Sequence, residues 1–258
     1  MHSYHDSHQP KIVYLLDSFP VLSQTFVLQE ILELQRQGLS LCVFSLFQPA
    51  AREMANGVWS GQIPITYLSQ QPRSSLLTML MRRFLKAPRR FLRTALLTLA
   101  YHDPRTAFSY LCYGVSVAEQ IEQQEIAHLH AHFAIGATSV AQIIHQLTDI
   151  PYSFMTHAYD IFLSRKPTLA YKMGMAHFVA TCSIYNQHYL QQLVPRSVAA
   201  RIHCLYVGLN LQLFPPDMPV PTGNAPLIFV VSRLVEKKGL FYLVSACGLL
   251  KEQGYNFR

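Results

Sequence analysis

The N-terminal part of the chain shows two apolar runs separated by a stretch with helical periodicity. Residues 11–17 and 41–47 are nearly continuous apolar runs, whereas residues 24–37 place apolar side chains three or four positions apart. Continuous apolar runs are typical of strands that are buried on both faces of a parallel sheet. This part of the chain therefore predicts a β-α-β opening in which Gly38 ends the helix.

The same alternation of strand and helix patterns continues to about residue 206. Strand patterns occupy residues 63–68, 128–133, 152–156, 177–181 and 201–206. Helical patterns occupy residues 74–100, 104–124, 136–147, 167–174 and 183–193. Such alternation predicts an α/β fold with a doubly wound parallel sheet, which binds its ligands at the carboxyl ends of the strands.

The character of the sequence changes after residue 206. Residues 207–226 contain five prolines and two glycines, which predicts an interdomain linker. A strand pattern at 227–231 and a helical pattern at 239–251 follow, and the sequence stops at residue 258. One strand and one helix leave most of their apolar surface uncovered, so we expect residues 227–258 to be an incomplete second domain.

The N-terminal residues 1–10 are polar and rich in histidine. They lack the apolar core region of a signal peptide, and we expect a disordered tail. No window reaches the ~18 apolar residues of a membrane-spanning helix, so any membrane contact is expected to be peripheral. The five cysteines are scattered and odd in number, which favours reduced, buried thiols in a cytoplasmic protein.

Charge adds a second feature to this picture. Half of the residues are hydrophobic and only 14% are charged, so the chain can bury a sizeable core. The net charge of +7 comes largely from one basic stretch, formed by Arg73, Arg82, Arg83, Lys86, Arg89, Arg90, Arg93 and Arg105. Leucines and phenylalanines lie between these residues at helical spacing, which argues against a nucleic-acid partner.

Two interpretations of the basic stretch stay open. It can be a pair of helices, broken at Pro88, that binds an anionic membrane surface on the inner face of the membrane. Alternatively, its apolar residues face the protein core and its arginines are solvated.

Four segments of the chain resemble a known family when they are taken together and in order. They are SFPVLSQTF at 18–26, LHAHFA at 129–134, MTHAYD at 155–160 and SRLVEKKG at 232–239. This set is similar to the family 4 glycosyltransferases, and specifically to the branch that builds exopolysaccharides such as colanic acid. The resemblance covers about residues 11–258.

The resemblance implies a GT-B fold of two Rossmann-like domains with the reaction in the cleft between them. Residues 11–206 would be the acceptor-side domain, and residues 227–258 would be only the first β-α unit of the nucleotide-sugar-binding domain. The family's carboxylate-bearing donor segment is absent, so we expect a C-terminally truncated chain or one piece of a split enzyme. Such a chain can be inactive alone.

The activity implied is transfer of a sugar from a nucleotide diphosphate sugar to a glycan or lipid-linked acceptor in exopolysaccharide or cell-envelope biosynthesis. By resemblance the reaction is retaining and metal-independent, and it needs no cofactor because the nucleotide-sugar is a substrate. Two alternatives remain open. One is a GT-B nucleotide-sugar epimerase, and the other is a non-catalytic remnant that binds acceptor or membrane.

Arg233 and Lys238 are the candidate residues for the donor diphosphate. They lie between a strand pattern and a helical pattern, where cations and helix N-terminal amides come together. Cations at this point would stabilise the negative charge that the leaving nucleoside diphosphate gains. The resemblance, through its R-x-x-x-x-K spacing, selects these two residues; the alternative is that both are solvated cations in a turn.

His157, Asp160 and His132 are candidates at the carboxyl ends of the predicted strands. By resemblance, His157 would lie beside the donor's sugar and phosphate as a catalytic hydrogen-bond donor or electrostatic partner. Asp160 would bind a hydroxyl group of donor or acceptor, or else cap the following turn. His132 would reach the acceptor side of the cleft.

His128, His130 and His132 alternate along a predicted strand and so share one face of the sheet. No fourth ligand is evident from spacing, so a zinc site is not expected, and structural hydrogen bonding explains the pattern.

Ser23 and Thr25 are the candidate acceptor-binding residues of the first loop. Their hydroxyls stand at the start of a predicted helix, where they can bind an acceptor or cap the helix, and capping is favoured for at least one of them. Gln24 stands between them where the family usually has glutamate, which removes a negative charge from the acceptor side.

Overall fold

The computed structural model describes residues 11–53, 64–209, 211 and 225–258. The described residues form two compact units, one within 1–209 and one within 210–258. The predicted N-terminal tail lies outside the described residues, as does most of the predicted linker.

Unit 1 contains a parallel sheet of seven strands in the order β3-β2-β1-β4-β5-β6-β7. The strands are β1 Lys11–Ser18, β2 Ser40–Phe47, β3 Ile65–Tyr67, β4 Ile126–His132, β5 Tyr152–Thr156, β6 Phe178–Thr181 and β7 Ile202–Cys204. Every neighbouring pair is parallel. The predicted doubly wound α/β fold is confirmed. The order in which successive strands are added to the sheet reverses between β1 and β4.

Helices connect the strands at the predicted places, and two short helices of four residues each were not predicted. The helices are α1 Thr25–Arg36, α2 Arg73–Lys86, α3 Pro88–Tyr101, α4 Pro104–Ile121, α5 Gly136–Thr148, α6 Tyr159–Phe162, α7 Lys166–Met175, α8 Ile184–Gln191 and α9 Arg196–Ala199, with α10 Leu240–Glu252 in unit 2. The predicted break at Pro88 and the predicted end of the first helix are confirmed. Gly38 has a positive φ of 88°, and Leu39 N–H donates to the Leu34 carbonyl at 3.0 Å, as in a Schellman motif.

The central strand β1 is covered on both faces, which explains its continuous apolar run. Val13 and Leu15 pack into a core with α4 and α5, whereas Tyr14 and Leu16 pack into a second core with α1. Successive side chains of a strand point to opposite faces, so both sets must be apolar when both faces are buried. Helix α1 is thereby fixed against the same sheet face as the even-numbered residues of β1.

The basic stretch uses part of its charge inside the fold. Arg83 is only 5% exposed, lies 3.2 Å from a carboxylate oxygen of Glu122 and donates to the Leu147 carbonyl. Arg90 pairs with Asp149 at 2.7 Å. The interpretation that all of these arginines are simply solvated is therefore wrong, because Arg83 is buried and paired.

Some apolar residues of α2 and α3 face the protein core, and others face solvent. Leu80 and Phe91 pack against the core. Six others are exposed to solvent by half or more: Leu77, Met81, Leu85, Leu92, Leu96 and Leu99. We call these six residues the leucine face. Among the described helices, none has the length and apolarity needed to cross a bilayer.

In unit 2, the strand predicted at 227–231 is not formed among the described residues, and that prediction is wrong. Ile228 N–H donates to the Arg258 carbonyl at 2.8 Å, and Arg258 N–H donates to the Pro226 carbonyl at 3.0 Å. A strand needs a ladder of such bonds to a neighbour, and one isolated pair does not supply it. The helix predicted nearby is confirmed as α10, whose apolar residues are largely exposed.

The five cysteine thiols are free, in line with the prediction of reduced thiols. The prediction that they are buried is confirmed only for Cys112, and the other four are partly exposed. They lie at separate places in the fold, where partial packing suffices for a small thiol.

Candidate functional site

The candidate site of unit 1 lies at the carboxyl ends of β1, β4 and β5. Asp17 stands near the end of β1, His132 ends β4, and His157 directly follows β5. Parallel pairing aligns these ends at one edge of the sheet, next to the place where the strand order reverses.

His157 is half-buried among aromatic rings at this edge. Its ring centroid lies 4.7 Å from that of Phe26 and 4.6 Å from that of Phe133, and it stacks at 5.9 Å on His132. Its Nε2 is buried and has no hydrogen-bond partner among the described residues. Asn186 donates its side-chain N–H to the carbonyl of His157, which fixes the backbone. The ring is thus held in place, with one buried nitrogen unpaired among the described residues.

Asp160 fixes the loop that contains His157. The carboxylate is 0% exposed and accepts the backbone N–H of Ala134 at 3.0 Å, of Ala158 at 2.8 Å and of His157 at 3.1 Å. Burial raises the pKa of this carboxyl group, and the three N–H donors oppose that rise. The carboxylate thus binds N–H groups that precede it in the chain, so the predicted capping of the following turn is wrong, and sugar binding by this residue stays a prediction.

His132 belongs to a cluster of polar side chains between β4, β1 and α1. Its Nε2 lies 3.4 Å from Oε1 of Glu30, and Nε2 of His130 lies 4.0 Å from the same oxygen. Tyr14 donates its hydroxyl to that oxygen at 2.7 Å. His132 is 0% exposed, and neither of its ring nitrogens has a hydrogen-bond partner among the described residues.

Burial and mutual contact set the charge of this cluster. Burial lowers the pKa of His130 to about 3 and that of His157 to about 4, and His132 adds to both effects. Burial would raise the pKa of Glu30, but its interactions with His132, His130 and Tyr14 outweigh burial and lower that pKa to about 2. At neutral pH the cluster therefore contains the ionised carboxylate of Glu30 and the neutral imidazoles of His130 and His157.

Asp17 and Lys172 are charged residues at this edge that the sequence analysis missed. Asp17 Oδ1 accepts the N–H of Ala137 at 3.0 Å, and its buried Oδ2 has no hydrogen-bond partner among the described residues. Burial raises the pKa of Asp17 to about 7, and burial lowers that of Lys172 to about 8. Lys172 donates to the carbonyls of Ala134 and Ile135 at 2.9 Å each. Groups with such shifted pKa values in one place are typical of functional sites.

Gly136 allows the start of α5 to approach Asp17 closely. A Cβ atom at this position would collide with Oδ1 of Asp17 and come within 2.9 Å of the Tyr110 hydroxyl. The first turn of α5 therefore meets the carboxylate through its backbone, as helix N-termini meet anions.

Ser23 lies in the 3-10 turn before α1, Thr25 is the first residue of α1, and both are exposed. The N-cap position of α1 is Gln24, and its side chain makes no capping hydrogen bond. The expectation that a hydroxyl of Ser23 or Thr25 caps this helix is therefore wrong, because the 3-10 turn Leu22–Gln24 leads directly into the helix. Acceptor binding by these hydroxyls stays a prediction.

In unit 2, Arg233 and Lys238 are exposed on either side of a tight turn. Lys238 ends the 3-10 turn Glu236–Lys238, and Gly239, with a φ of 65°, then starts α10. A groove of about 380 Å³ lies at this turn, lined by residues between Leu234 and Tyr242 but not by Lys238. Arg233 does not line this groove either, and the strand expected before the loop is not formed among the described residues, so a diphosphate role for Arg233 and Lys238 stays a prediction.

The fold of unit 1 and its ligand-binding edge define a doubly wound, Rossmann-like α/β protein. The comparison with solved structures identifies the fold as that of the GT-B glycosyltransferases. A glycosyltransferase from Rickettsia africae matches with a TM-score of 0.62 and 14% identity over 95% of this chain and 59% of that protein. Sucrose-phosphate synthase from Thermosynechococcus elongatus matches with a TM-score of 0.58 and 15% identity over 94% of this chain and 60% of that protein.

The chain thus spans about three fifths of the length of these two proteins. A UDP-N-acetylglucosamine 2-epimerase from Rickettsia bellii matches with a TM-score of only 0.45, which is too low to support the epimerase alternative. No protein family and no curated protein sequence matches the chain.

Sequence patterns could have indicated part of what was missed. Asp17 ends an apolar run at the carboxyl end of the first strand, which is a place where polar residues bind ligands. Glu30 and Lys172 gave no such indication, since each is one polar residue among several on its helix.

Proposed function

We propose that the protein takes part in transferring a sugar from a nucleotide diphosphate sugar to a glycan or lipid-linked acceptor, in the synthesis of an exopolysaccharide or cell-envelope glycan. The observation that carries this proposal is His157, whose buried, unpartnered Nε2 lies at the carboxyl edge of a GT-B fold. A neutral imidazole held there can donate a hydrogen bond to the sugar or phosphate of the donor.

The remaining roles follow from the chemistry of each place. Arg233 and Lys238 supply positive charge to the leaving diphosphate. Ser23 and Thr25 present exposed hydroxyls to the acceptor. Asp17 also contributes to acceptor binding, because its unpartnered Oδ2 can accept a hydrogen bond from a sugar hydroxyl.

The test is a turnover assay of the 258-residue chain with labelled nucleotide-sugars, with and without a lipid-linked glycan acceptor. We expect nucleoside diphosphate release that depends on acceptor, and a decrease of roughly 100- to 1000-fold in the His157→Ala variant, as for the loss of one oxyanion-type donor. The exposed His203→Ala serves as the matched control and should keep full activity.

Turnover of the nucleotide-sugar without any acceptor would favour the epimerase alternative. Absence of both turnover and nucleotide binding would contradict the proposal and leave an acceptor- or membrane-binding remnant.

We also propose that the leucine face binds an anionic membrane surface. Its six apolar side chains are exposed, and Arg89 and Arg93 beside them are exposed and form no ion pair within the described part of the chain. Apolar insertion together with basic residues is the combination that holds amphipathic helices at membranes.

Flotation with vesicles of anionic and of neutral lipid tests this second proposal. The double variant Leu85→Glu/Leu96→Glu should bind anionic vesicles at least about tenfold more weakly, since insertion of each leucine is worth roughly 1.5–3 kcal/mol. Leu163→Glu, at an apolar residue that is 81% exposed elsewhere in unit 1, is the matched control. Equal flotation of the double variant and the control would refute a membrane role for this face.

A further inference from the structure

We propose that Glu30, His130 and His132 form a binding site for a Zn²⁺-type transition-metal ion. One ligand atom from each of these residues lies within 4.8 Å of the others. The site would join α1 to β4 through two imidazoles and one carboxylate. This proposal does not depend on sugar transfer.

The geometry is close to that of a tetrahedral site. Zinc bonds of about 2.0–2.1 Å place tetrahedral ligand atoms about 3.4 Å apart. The distance between His132 Nε2 and Glu30 Oε1 is 3.4 Å, and that between His130 Nε2 and the same oxygen is 4.0 Å. The first pair already fits, the His130 ring would approach Glu30 by about half an ångström, and all three ligand atoms already lie within 4.8 Å of one another.

The strand supplies the two histidines on the side where Glu30 lies. His130 and His132 are two positions apart on β4 and therefore share a face of the sheet. Helix α1 packs on that face through Val27 and Ile31, which brings Glu30 over the histidines. Spacing along the sequence could not show this third ligand, because Glu30 lies 100 residues before His130.

Neighbouring groups hold the ligands as they do in known metal sites. Ser153 Oγ lies 2.8 Å from Nδ1 of His130 and 2.7 Å from Nε2 of His128. The one hydroxyl hydrogen can be donated to His128 while Oγ accepts Nδ1–H of His130, which leaves Nε2 of His130 with its lone pair. Tyr14 orients Glu30 through its hydroxyl at 2.7 Å. Such partners fix the tautomer and orientation of metal ligands.

His132 gives an independent reason to expect a ligand. The ring is 0% exposed, its Nδ1 has no hydrogen-bond partner among the described residues, and its Nε2 has only the 3.4 Å contact with Glu30. Leaving buried polar atoms unpaired is unfavourable, and coordination of a metal through Nε2 would remove part of that cost. The side chain of Glu30 is 37% exposed, so an ion can enter from solvent on that side.

The chemistry of the ligand set indicates the kind of ion. Two imidazoles and one carboxylate suit zinc or a similar divalent transition metal, whereas Mg²⁺ and Ca²⁺ prefer oxygen ligands throughout. Three protein ligands leave a fourth position for water or an oxygen atom of a bound molecule.

Metal titration of the full chain tests the site. The N-terminal histidines His2, His5 and His8 are first changed to alanine in every protein, because they can bind metal independently. Metal-free protein is then titrated with Zn²⁺ by calorimetry and with Co²⁺ by visible absorption, which reports tetrahedral coordination. We expect about one ion per chain.

The variants are Glu30→Gln and His132→Ala, with His203→Ala as a control at an exposed histidine. Each site variant should weaken Zn²⁺ binding at least about 100-fold, because the loss of an outer partner alone typically costs 10- to 100-fold. Circular dichroism checks that each variant is folded, and Glu30→Gln decides the matter if His132→Ala does not fold. Absence of binding, or binding that Glu30→Gln leaves unchanged, would overturn the proposal.

Discussion

Asp160→Ala is expected to lower the free energy of unfolding by about 3–5 kcal/mol, since each buried N–H left unpaired costs about 1–3 kcal/mol. The wild-type carboxylate accepts the N–H groups of Ala134, His157 and Ala158 and is 0% exposed. The bond from Ala134 is buried, so water cannot replace it without opening the loop, whereas the other two bonds are partly buried. Urea unfolding followed by circular dichroism measures the change.

Two further variants make the reason for this loss testable. Asp160→Asn keeps one acceptor oxygen and should lose clearly less than the alanine variant. Asp103→Ala removes an exposed N-cap that binds one N–H, that of Thr106, and should cost only about 1 kcal/mol. If Asp160→Ala were no more destabilised than Asp103→Ala, the carboxylate would not be holding the loop, and a ligand-binding role would be favoured instead.

Arg233→Ala is expected to weaken binding of UDP or GDP by about 10- to 100-fold, which corresponds to the roughly 1.5–3 kcal/mol of one hydrogen bond to a charged group. Arg233 precedes the turn that starts α10, where a diphosphate would meet a helix N-terminus. Lys238→Ala should weaken binding by a similar factor. Calorimetric titration of the purified chain with each nucleotide measures these changes.

Lys251→Ala is the matched control, since it removes the same charge from the exposed far end of α10. It should leave the affinity within about twofold, because exposed charges separated by more than a Debye length of ~10 Å are largely screened. Equal losses in Lys251→Ala and Arg233→Ala would show a general charge effect and argue against a diphosphate site at the turn.

Local pattern was a good guide to the elements of unit 1. The strand predicted at 152–156 is β5 as observed, and the helix predicted at 136–147 is α5 with one more residue. Both patterns depend on which side chains face the core, and that choice repeats every two or 3.6 residues along the chain itself. The prediction of a strand at 227–231 was wrong because a strand also needs a neighbouring strand. Its apolar run is present, but no partner strand pairs with it among the described residues.

The sequence by itself determined the α/β alternation, the break at Pro88, the helix end at Gly38 and the position of His157 after a buried strand. These features depend on neighbours in the chain, and their periodicity or turn chemistry is visible in the residues. The tertiary structure decided the pairing of Glu30 with His130, the burial of Arg83 and the proximity of Asp17 to α5. Each of these contacts joins residues that are far apart in sequence, and only the packing of helices on a particular face of the sheet brings them together.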